Sequence, residues 1–148
     1  MRTVVTDEKD ERFLELVREL DNGYYRRIGD ELSKYDEYNS FKKPHIVILL
    51  IDSNTNVACA SYRVMNDDSV EFKRVYVKPQ YRRRGIASEL LKELEKNAKQ
   101  EGYKHSFIIT GKNNLPAIGL YEKLNYHKIA NIEGFEDDDT VISMRKDF

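Results

Sequence analysis

Three consecutive arginines and a glycine, Arg82 to Gly85, are the residues whose types and spacing indicate chemistry most clearly. Guanidinium groups bind phosphate through paired hydrogen bonds, and a glycine lets a ligand approach the backbone closely. After Gly85, apolar residues recur at steps of three and four, which predicts a long amphipathic helix. The first N–H groups of a helix have no partner within it and carry partial positive charge. This stretch therefore predicts a site for phosphate or pyrophosphate.

A strand is predicted immediately before this basic loop. Phe72, Val75 and Val77 are separated by charged or amphipathic residues, as in a half-buried strand. Pro79 cannot donate a hydrogen bond to a sheet, so it ends the strand. Nucleotide P-loops need a Lys-Ser or Lys-Thr pair at fixed spacing, and dinucleotide sites need three glycines. Neither motif is present here, so the phosphate ligand is of another kind.

The composition limits the classes of function. A length of 148 residues fits one domain, residues 1–148, with a substantial core. The net charge of −1 argues against a protein that binds nucleic acid. Cys59 is the single cysteine, too few for a disulfide within the chain or for a zinc site, and we expect no metal. Without a signal-peptide pattern or an apolar run long enough for a bilayer, we expect a cytoplasmic protein without membrane contact.

The hydrophobic pattern predicts how strands and helices alternate along the chain. Thr6 or Asp7 is expected to cap the first helix, and Asp21-Asn22-Gly23 to end it. A second helix is expected at 24–35, a long one at 86–101 and a short one before Asn125. Strands are expected at 3–6, 45–52, 57–65, 69–77, 105–110, 126–132 and 141–145. The strands at 45–77 form an antiparallel meander, and the strand at 105–110 runs parallel to the third of them.

Arg82-x-x-Gly85-x-Ala87 resembles the pyrophosphate-binding signature of the GNAT family of N-acetyltransferases. The segment from Glu71 to Pro79 is similar to the fourth strand of that family. The likeness extends over roughly residues 45–146, which is most of the chain.

A third block, from Asn114 through Tyr121 to Tyr126, is similar to the last helix of the family. Two departures are small. Alanine replaces the second glycine of the loop, and Asn125-Tyr126 replaces the usual Gly-Phe. Asparagine tolerates left-handed backbone, and tyrosine keeps the aromatic ring.

The resemblance implies an α/β (α+β) fold with a mixed, largely antiparallel twisted sheet of about six to seven strands and four flanking helices. The fourth and fifth strands would splay apart in the centre, and acetyl-CoA, the acyl donor, would lie between them. Pantetheine would pair with backbone at 75–77, and amides at 83–88 would hold the pyrophosphate. Asn114 would reach a pantetheine amide, and Arg82, Arg83 or Lys112 the 3′-phosphate. The implied donor-binding residues are Val75, Tyr76, Val77, Arg82, Arg83, Arg84, Gly85, Ile86, Ala87, Ser88, Asn114 and Tyr121.

Two catalytic residues are implied by the same resemblance. Glu71 would be the base that deprotonates the amine, directly or through water; the alternative is an ion pair with a neighbour such as Lys73. Tyr121 would be the general acid for the leaving thiolate; the alternative is a tyrosine of the core. Cys59 has no histidine at a suggestive spacing, so it is a poor candidate for an acyl-carrying nucleophile.

The acceptor is predicted least clearly. In the family it lies against the first two helices and the last hairpin, which implies Tyr24, Tyr25 and Phe135 here. Acidic residues at 133–139 beside these rings would suit a cationic amine, on a small molecule or a peptide. Solvated acidic loops are the alternative.

Three other hypotheses stay open at this stage. The chain could be a non-catalytic acyl-CoA sensor on the same fold, or a nucleic-acid-binding module using six basic residues within 73–84. Another acyl-CoA could replace acetyl-CoA as the donor. Edge strands of the terminal hairpin need covering, which is consistent with a homodimer.

Overall fold

The structure is a computed structural model that describes residues 1–28, 44–132 and 134–148, without the side chains of 24–28. The strands in this part of the chain are β1 (Arg2–Asp7), β2 (His45–Asp52), β3 (Thr55–Val64), β4 (Ser69–Val77), β5 (His105–Gly111), β6 (His127–Ile129) and β7 (Val141–Asp147). The helices are α1 (Glu11–Ile28), α2 (Ile86–Gln100) and α3 (Leu115–Lys123). None of the described helices is long and apolar enough to cross a membrane.

All the described strands belong to one sheet, in the order β1-β2-β3-β4-β5-β7-β6. Neighbours are antiparallel except β4 and β5, which are parallel and are connected through α2. This confirms the predicted fold class, with seven strands in the described residues. The predicted terminal hairpin is present as β6 and β7, and β6 is an edge of the sheet.

The sheet has a helix on each face because its central strands alternate between two apolar sets. On β2, Ile48 and Leu50 pack with α2, whereas Val47 and Leu49 pack with α1. Such an alternation is what a strand buried on both faces requires. α3 covers the α2 side, where Tyr121 joins the same cluster. The sheet thus separates two compartments, which we call the α1 side and the α2 side.

Two local predictions for α1 are wrong. Asp21-Asn22-Gly23 does not end the helix, which continues to Ile28. Glycine in a helix costs only about 1 kcal/mol, and packing of the apolar face of α1 on the sheet outweighs this. The cap is neither Thr6 nor Asp7, because Oδ1 of Asp10 accepts the hydrogen bond from the backbone N–H of Arg12 at 2.9 Å.

The expected helix count also differs from the described structure. The predicted second helix begins within α1, and the rest of its range, 29–35, lies outside the described residues. Three α-helices are therefore described where four were expected. Predictions for α2, α3 and the strands agree with the structure to within a few residues. Asn125 has the predicted left-handed backbone, with φ of 73°.

Packing of α2 on the sheet should dominate the stability of this fold. Leu94 is 0 % exposed, whereas Leu115 at the start of α3 is 70 % exposed. We expect Leu94→Ala to lower the free energy of unfolding by about 3 kcal/mol, because it removes apolar contacts and leaves a cavity. The control Leu115→Ala should change it by less than about 0.5 kcal/mol. Urea denaturation measures both values, and equal losses would contradict this account of the core.

Candidate active site

The parallel strands β4 and β5 are joined only at their beginnings. Their register contains the pairs Ser69 with His105, Val70 with Ser106 and Glu71 with Phe107, and no later pair. Beyond this point β4 remains paired with β3, and β5 with β7, on their outer sides. The predicted central splay is therefore confirmed, and a gap opens between residues 72–77 and 108–111.

A bulge in β4 accompanies this separation. Cys59 lies opposite Tyr76 and Ser61 opposite Lys73, so β4 has one residue more than β3 in this interval. Arg74, inside the bulge, has a positive φ of 55°. A bulge bends a strand and increases its twist, which turns the end of β4 away from a straight course. Sequence reasoning missed this feature.

A sequence signal for the bulge does exist. Phe72, Val75 and Val77 all pack on the α2 side, although the first two are three positions apart. A regular strand places residues on one side at steps of two, so this odd step requires an extra residue. The guanidinium group of Arg74 forms an ion pair with Asp21 of α1, which holds the bulged segment against that helix.

The head of α2 presents backbone amides without side-chain caps. Gly85 is the N-cap residue, with a left-handed φ of 76°, and no described side chain caps the helix. The first intrahelical hydrogen bond is donated by Glu89 to the carbonyl of Gly85, at 3.1 Å. The N–H groups of Ile86, Ala87 and Ser88 precede it, so they have no partner within the helix. Uncapped amides and the helix dipole favour an anion at this position, which is where the sequence predicts one.

The arginines around this site have different environments. Arg82 donates from Nε to the carbonyl of Val77 at 2.9 Å, and its guanidinium lies 5.6 Å from the ring centre of Tyr76. Arg82 therefore holds the loop against the end of β4. All three arginines are exposed, and Arg84 donates to the carbonyl of Gln80 at 3.4 Å. They add positive charge beside the amides of the helix head.

Glu71 is buried and paired with an arginine. Its side chain is 1 % exposed, and both Nε and a terminal nitrogen of Arg63 lie 2.8 Å from its Oε1. The sequence allowed an ion pair between Glu71 and Lys73 as the alternative to a catalytic role. Lys73 is buried as well, but the ion-pair contact at 2.8 Å is with Arg63. Burial raises the pKa of Glu71 to about 7, and the positive charge of Lys73 opposes this rise. Burial lowers the pKa of Lys73 to about 8.

The two predicted catalytic side chains lie on opposite sides of the sheet. Val70 and Phe72 pack on the α2 side, so Glu71 between them faces the α1 side. Tyr121 is 7 % exposed on the α2 side, with its ring centre 6.0 Å from that of Tyr126. The parted strands are the opening between the two sides.

Asn114 lies at the same edge of the sheet as the head of α2. It follows the end of β5, and parallel strands have their carboxyl ends at one edge. Its Oδ1 accepts a hydrogen bond from the N–H of Ala117 at 3.4 Å, which caps α3. Its side-chain NH₂ group remains a donor for another partner. Lys112 is exposed at this edge.

The predicted acceptor residues are only partly described. Tyr24 and Tyr25 belong to α1, but their side chains lie outside the described residues. Phe135 is buried in the connection between β6 and β7. In that connection Asp138 accepts a hydrogen bond from the N–H of Thr140 at 2.9 Å, so it has a structural role.

The thiol of Cys59 is poorly placed for covalent chemistry. Cys59 is buried in β3, and its thiol donates to the carbonyl of Arg74 at 3.3 Å. Burial raises its pKa to about 12, so the reactive thiolate is disfavoured. No group of three histidine, cysteine, aspartate or glutamate residues in the described part could hold a metal ion.

Arg63 is a site residue that sequence reasoning missed. It lies directly opposite Glu71 in the antiparallel pair of β3 and β4. The register of this pair follows from the turn at Asn66-Asp67-Asp68, where the carbonyl of Ser69 accepts from the N–H of Met65 at 2.9 Å. Counting outward from the predicted turn would have placed Arg63 beside Glu71.

Comparison with known proteins identifies the family. A model described as the acetyltransferase (GNAT) family matches residues 14–126. The chain is 30% identical over 97 residues to probable N-acetyltransferase 14 of Xenopus tropicalis, covering 65% of this chain and 47% of that protein. It is 37% identical over 65 residues to an N-alpha-acetyltransferase of Saccharolobus solfataricus, covering 43% of this chain and 39% of that protein. The chain therefore spans less than half the length of these two curated relatives.

A solved structure has the same fold along the whole chain. The PaiA N-acetyltransferase of Thermoplasma acidophilum, crystallised with coenzyme A, superimposes with a TM-score of 0.77 and covers 100% of both chains at 19% identity. That likeness concerns the fold alone. The family model, in contrast, spans more than half of the chain, and the chain therefore belongs to the GNAT family of acetyltransferases.

Proposed function

We propose that this protein is an enzyme that transfers an acetyl group from acetyl-CoA to a primary amine, by direct attack within a ternary complex. The observation that carries the proposal is the gap between β4 and β5 next to the uncapped head of α2. On this proposal residues 1–148 act as one N-acetyltransferase domain, since one sheet includes both β1 and β7.

The donor binds along this gap. Its pyrophosphate accepts hydrogen bonds from the amides of residues 86–88, with Gly85 shaping the turn and Arg82, Arg83 and Arg84 adding charge. The pantetheine arm pairs with the inner edge of Val75, Tyr76 and Val77, as an added strand does. The NH₂ group of Asn114 donates to a pantetheine carbonyl. Acetyl-CoA is a substrate in this scheme, and no metal takes part.

The reaction needs a neutral amine. An amine with a pKa of ~10.4 is neutral in only about one molecule per thousand at pH 7.4. Glu71 takes the proton, and its pKa of about 7 suits a general base at neutral pH. The amine nitrogen then attacks the thioester carbonyl, while a strand N–H near residues 75–77 stabilises the oxyanion. The C–S bond breaks, Tyr121 gives its proton to the thiolate, and the nitrogen releases its second proton to solvent, from which Tyr121 regains its own.

Positions on opposite sides of the sheet support these two roles. Glu71 faces the α1 side, where the amine enters, and Tyr121 lies on the α2 side. The thioester arm in the gap lies between the two groups. The amine is therefore deprotonated on one side, and the thiolate is protonated on the other.

The acceptor is a primary amine on a small molecule or a peptide. We propose that Tyr24, Tyr25 and Phe135 line its site, with acidic residues of the β6–β7 connection favouring a cation. One relative is named an N-alpha-acetyltransferase, so peptide amines belong in the acceptor screen. A coenzyme A release assay with polyamines, amino sugars and lysine peptides tests the class, and a preference for anionic acceptors would contradict a cationic site.

A nucleic-acid-binding module is not favoured by the structure. Lys73 is buried, Arg74 is paired with Asp21, and Lys78 lies 3.7 Å from Glu19. Half of the basic residues that motivated that hypothesis therefore face α1 or the core. A non-catalytic sensor is the competing hypothesis, and turnover of the unmodified protein, measured beside Tyr121→Phe below, separates it from an enzyme.

Donor binding should depend on the backbone at Gly85. Gly85 and Gly102 flank α2 and have φ of 76° and 95°, so valine strains the backbone at both positions. We expect Gly85→Val to weaken acetyl-CoA binding about tenfold or more, because it displaces the amides at the helix head. Gly102→Val, at the far end of the helix, should lose comparable stability but bind normally. Isothermal titration calorimetry measures both affinities, and equal affinities would contradict the placement of the pyrophosphate.

Turnover should depend on the hydroxyl of Tyr121. We expect Tyr121→Phe to lower kcat about 100-fold while leaving the Kd for acetyl-CoA unchanged, because it removes the general acid. The control Tyr126→Phe removes another buried hydroxyl, which lies 2.5 Å from Ser106 Oγ, and it should leave kcat nearly unchanged. Unchanged turnover in Tyr121→Phe would remove the acid role, and an absence of turnover in the unmodified protein with every amine would favour the sensor.

Direct attack requires no acyl-enzyme. We expect Cys59→Ala to retain most of the activity, since the thiol is buried with a raised pKa. Intact-mass spectrometry after mixing with acetyl-CoA should detect no adduct that depends on Cys59. A loss of turnover together with an acetyl adduct that disappears in Cys59→Ala would instead establish a covalent intermediate.

A further inference from the structure

Arg63 holds the carboxylate of Glu71 in an uncommon way. The two residues face each other across β3 and β4. The two nitrogens of Arg63 nearest the carboxylate both lie 2.8 Å from Oε1, instead of binding one oxygen each. The side chain of Glu71 is 1 % exposed and that of Arg63 is 21 % exposed. This pair is therefore largely shielded from solvent, where charge-assisted hydrogen bonds are strong.

The single-oxygen geometry gives the two carboxylate oxygens different tasks. Two N–H donors occupy Oε1 and fix the plane of the carboxyl group. Oε2 receives neither of these bonds, so it is the oxygen with capacity for a proton. Glu71 is also the last residue of β4 that pairs with β5, which puts it where the gap begins.

We propose that Arg63 is a positioning residue for the base: it holds Oε1 of Glu71 so that Oε2 receives the proton of the acceptor amine. This inference rests on the proposed function, because it assigns a partner to the base of that reaction. The proton moves from the amine nitrogen to Oε2, and the freed electron pair forms the new C–N bond. Arg63 itself gives up no proton and touches no substrate.

Other charged groups also face this carboxylate. Lys73 lies two residues along the same strand on the same side, with Arg74 next to it in the bulge. His45 of β2 lies opposite Arg63 and is buried, and its backbone N–H donates to the carboxylate of Glu8 at 3.0 Å. Removing Arg63 takes away one of the positive charges that offset the burial of this carboxylate, so its charged form becomes less favourable. Lys73 stays near Glu71 as a cation.

A purely structural ion pair would behave differently. Breaking a buried pair lowers stability whether or not it takes part in catalysis. Lys146 and Glu95 provide a matched comparison, because they form a partly buried pair at 2.7 Å between β7 and α2. A structural role predicts that Arg63→Met and Lys146→Met alter the melting temperature and leave the pH profile alone.

The test is the pH dependence of kcat/KM for the full chain with acetyl-CoA and its best amine. Activity should rise with pH through about 7 in the unmodified protein, because Glu71 must lose its proton. Glu71→Gln should remove this rise. Arg63→Met should move its midpoint upward by about one pH unit or more, because an opposite charge beside the carboxylate is lost. Lys146→Met should leave the midpoint in place, and the Kd for acetyl-CoA should stay unchanged in all variants.

Arg63→Lys distinguishes charge from geometry and covers the case in which Arg63→Met fails to fold. It retains the charge but not the planar pair of donors, so the midpoint should move little while kcat falls several-fold. An unshifted midpoint in folded Arg63→Met, or wild-type kcat in Arg63→Lys, would overturn the role of Arg63 and leave Glu71 as the base. A rise that persists in Glu71→Gln would instead remove Glu71 as the base.

Discussion

Backbone hydrogen bonding between β4 and β5 stops after Glu71 and Phe107, and the proposed donor site depends on this separation. Each strand keeps its outer partner, so the inner edges of 72–77 and 108–111 lack sheet partners in each other. Buried N–H and C=O groups need hydrogen bonds, and an extended ligand with amides of its own can supply them. The sheet thus consists of two halves joined by a short seam, with a strand-shaped opening beyond it.

The bulge in β4 and the packing of α2 both shape this opening. The bulge at Arg74 changes the course of β4, and the ion pair between Arg74 and Asp21 ties the bulge to α1. α2 packs on the other face and brings its uncapped amides to the carboxyl end of the opening. On the proposed function, a diphosphate at those amides and an amide-containing arm in the opening belong to one ligand, acetyl-CoA. On the same proposal, this opening places the thioester between the α1 side and the α2 side.

Buried charge around Glu71 has the character of a functional site. A buried carboxylate beside a buried lysine and an arginine is costly to desolvate, and apolar residues of similar volume often stabilise a core as well or better. Burial brings the pKa of Glu71 to about 7, close to where a general base is useful. Shifted pKa values of this kind cluster at functional sites, where burial and neighbouring charges act on the same group.

Sequence reasoning predicts the parts of this structure that local chemistry determines. The bounds of β2 and β4 agree to the residue, because turn residues and Pro79 delimit clear apolar patterns. The uncapped helix start at Gly85 follows from a glycine before an amphipathic helix. The α1 prediction failed at Asp21-Asn22-Gly23, because tertiary contacts such as that of Asp21 with Arg74 outweigh weak local propensities.

Features that depend on register were harder to predict. Arg63 binds Glu71 only because a turn aligns β3 with β4, and the bulge at Arg74 was visible only as an odd step from Phe72 to Val75. The acceptor residues stay a prediction, because the proposed set combines segments far apart in the chain, and the side chains of Tyr24 and Tyr25 lie outside the described residues. No single motif in the sequence predicts which acceptor binds there.

Amide NMR of the ¹⁵N-labelled protein titrated with acetyl-CoA tests the central claim most directly. We predict saturable shifts concentrated at the amides of residues 75–77 and 86–88, with the amides of β1 and the first turns of α1 unchanged. Saturable shifts that leave the head of α2 untouched, or no shifts at millimolar acetyl-CoA, would contradict a donor site between the parted strands.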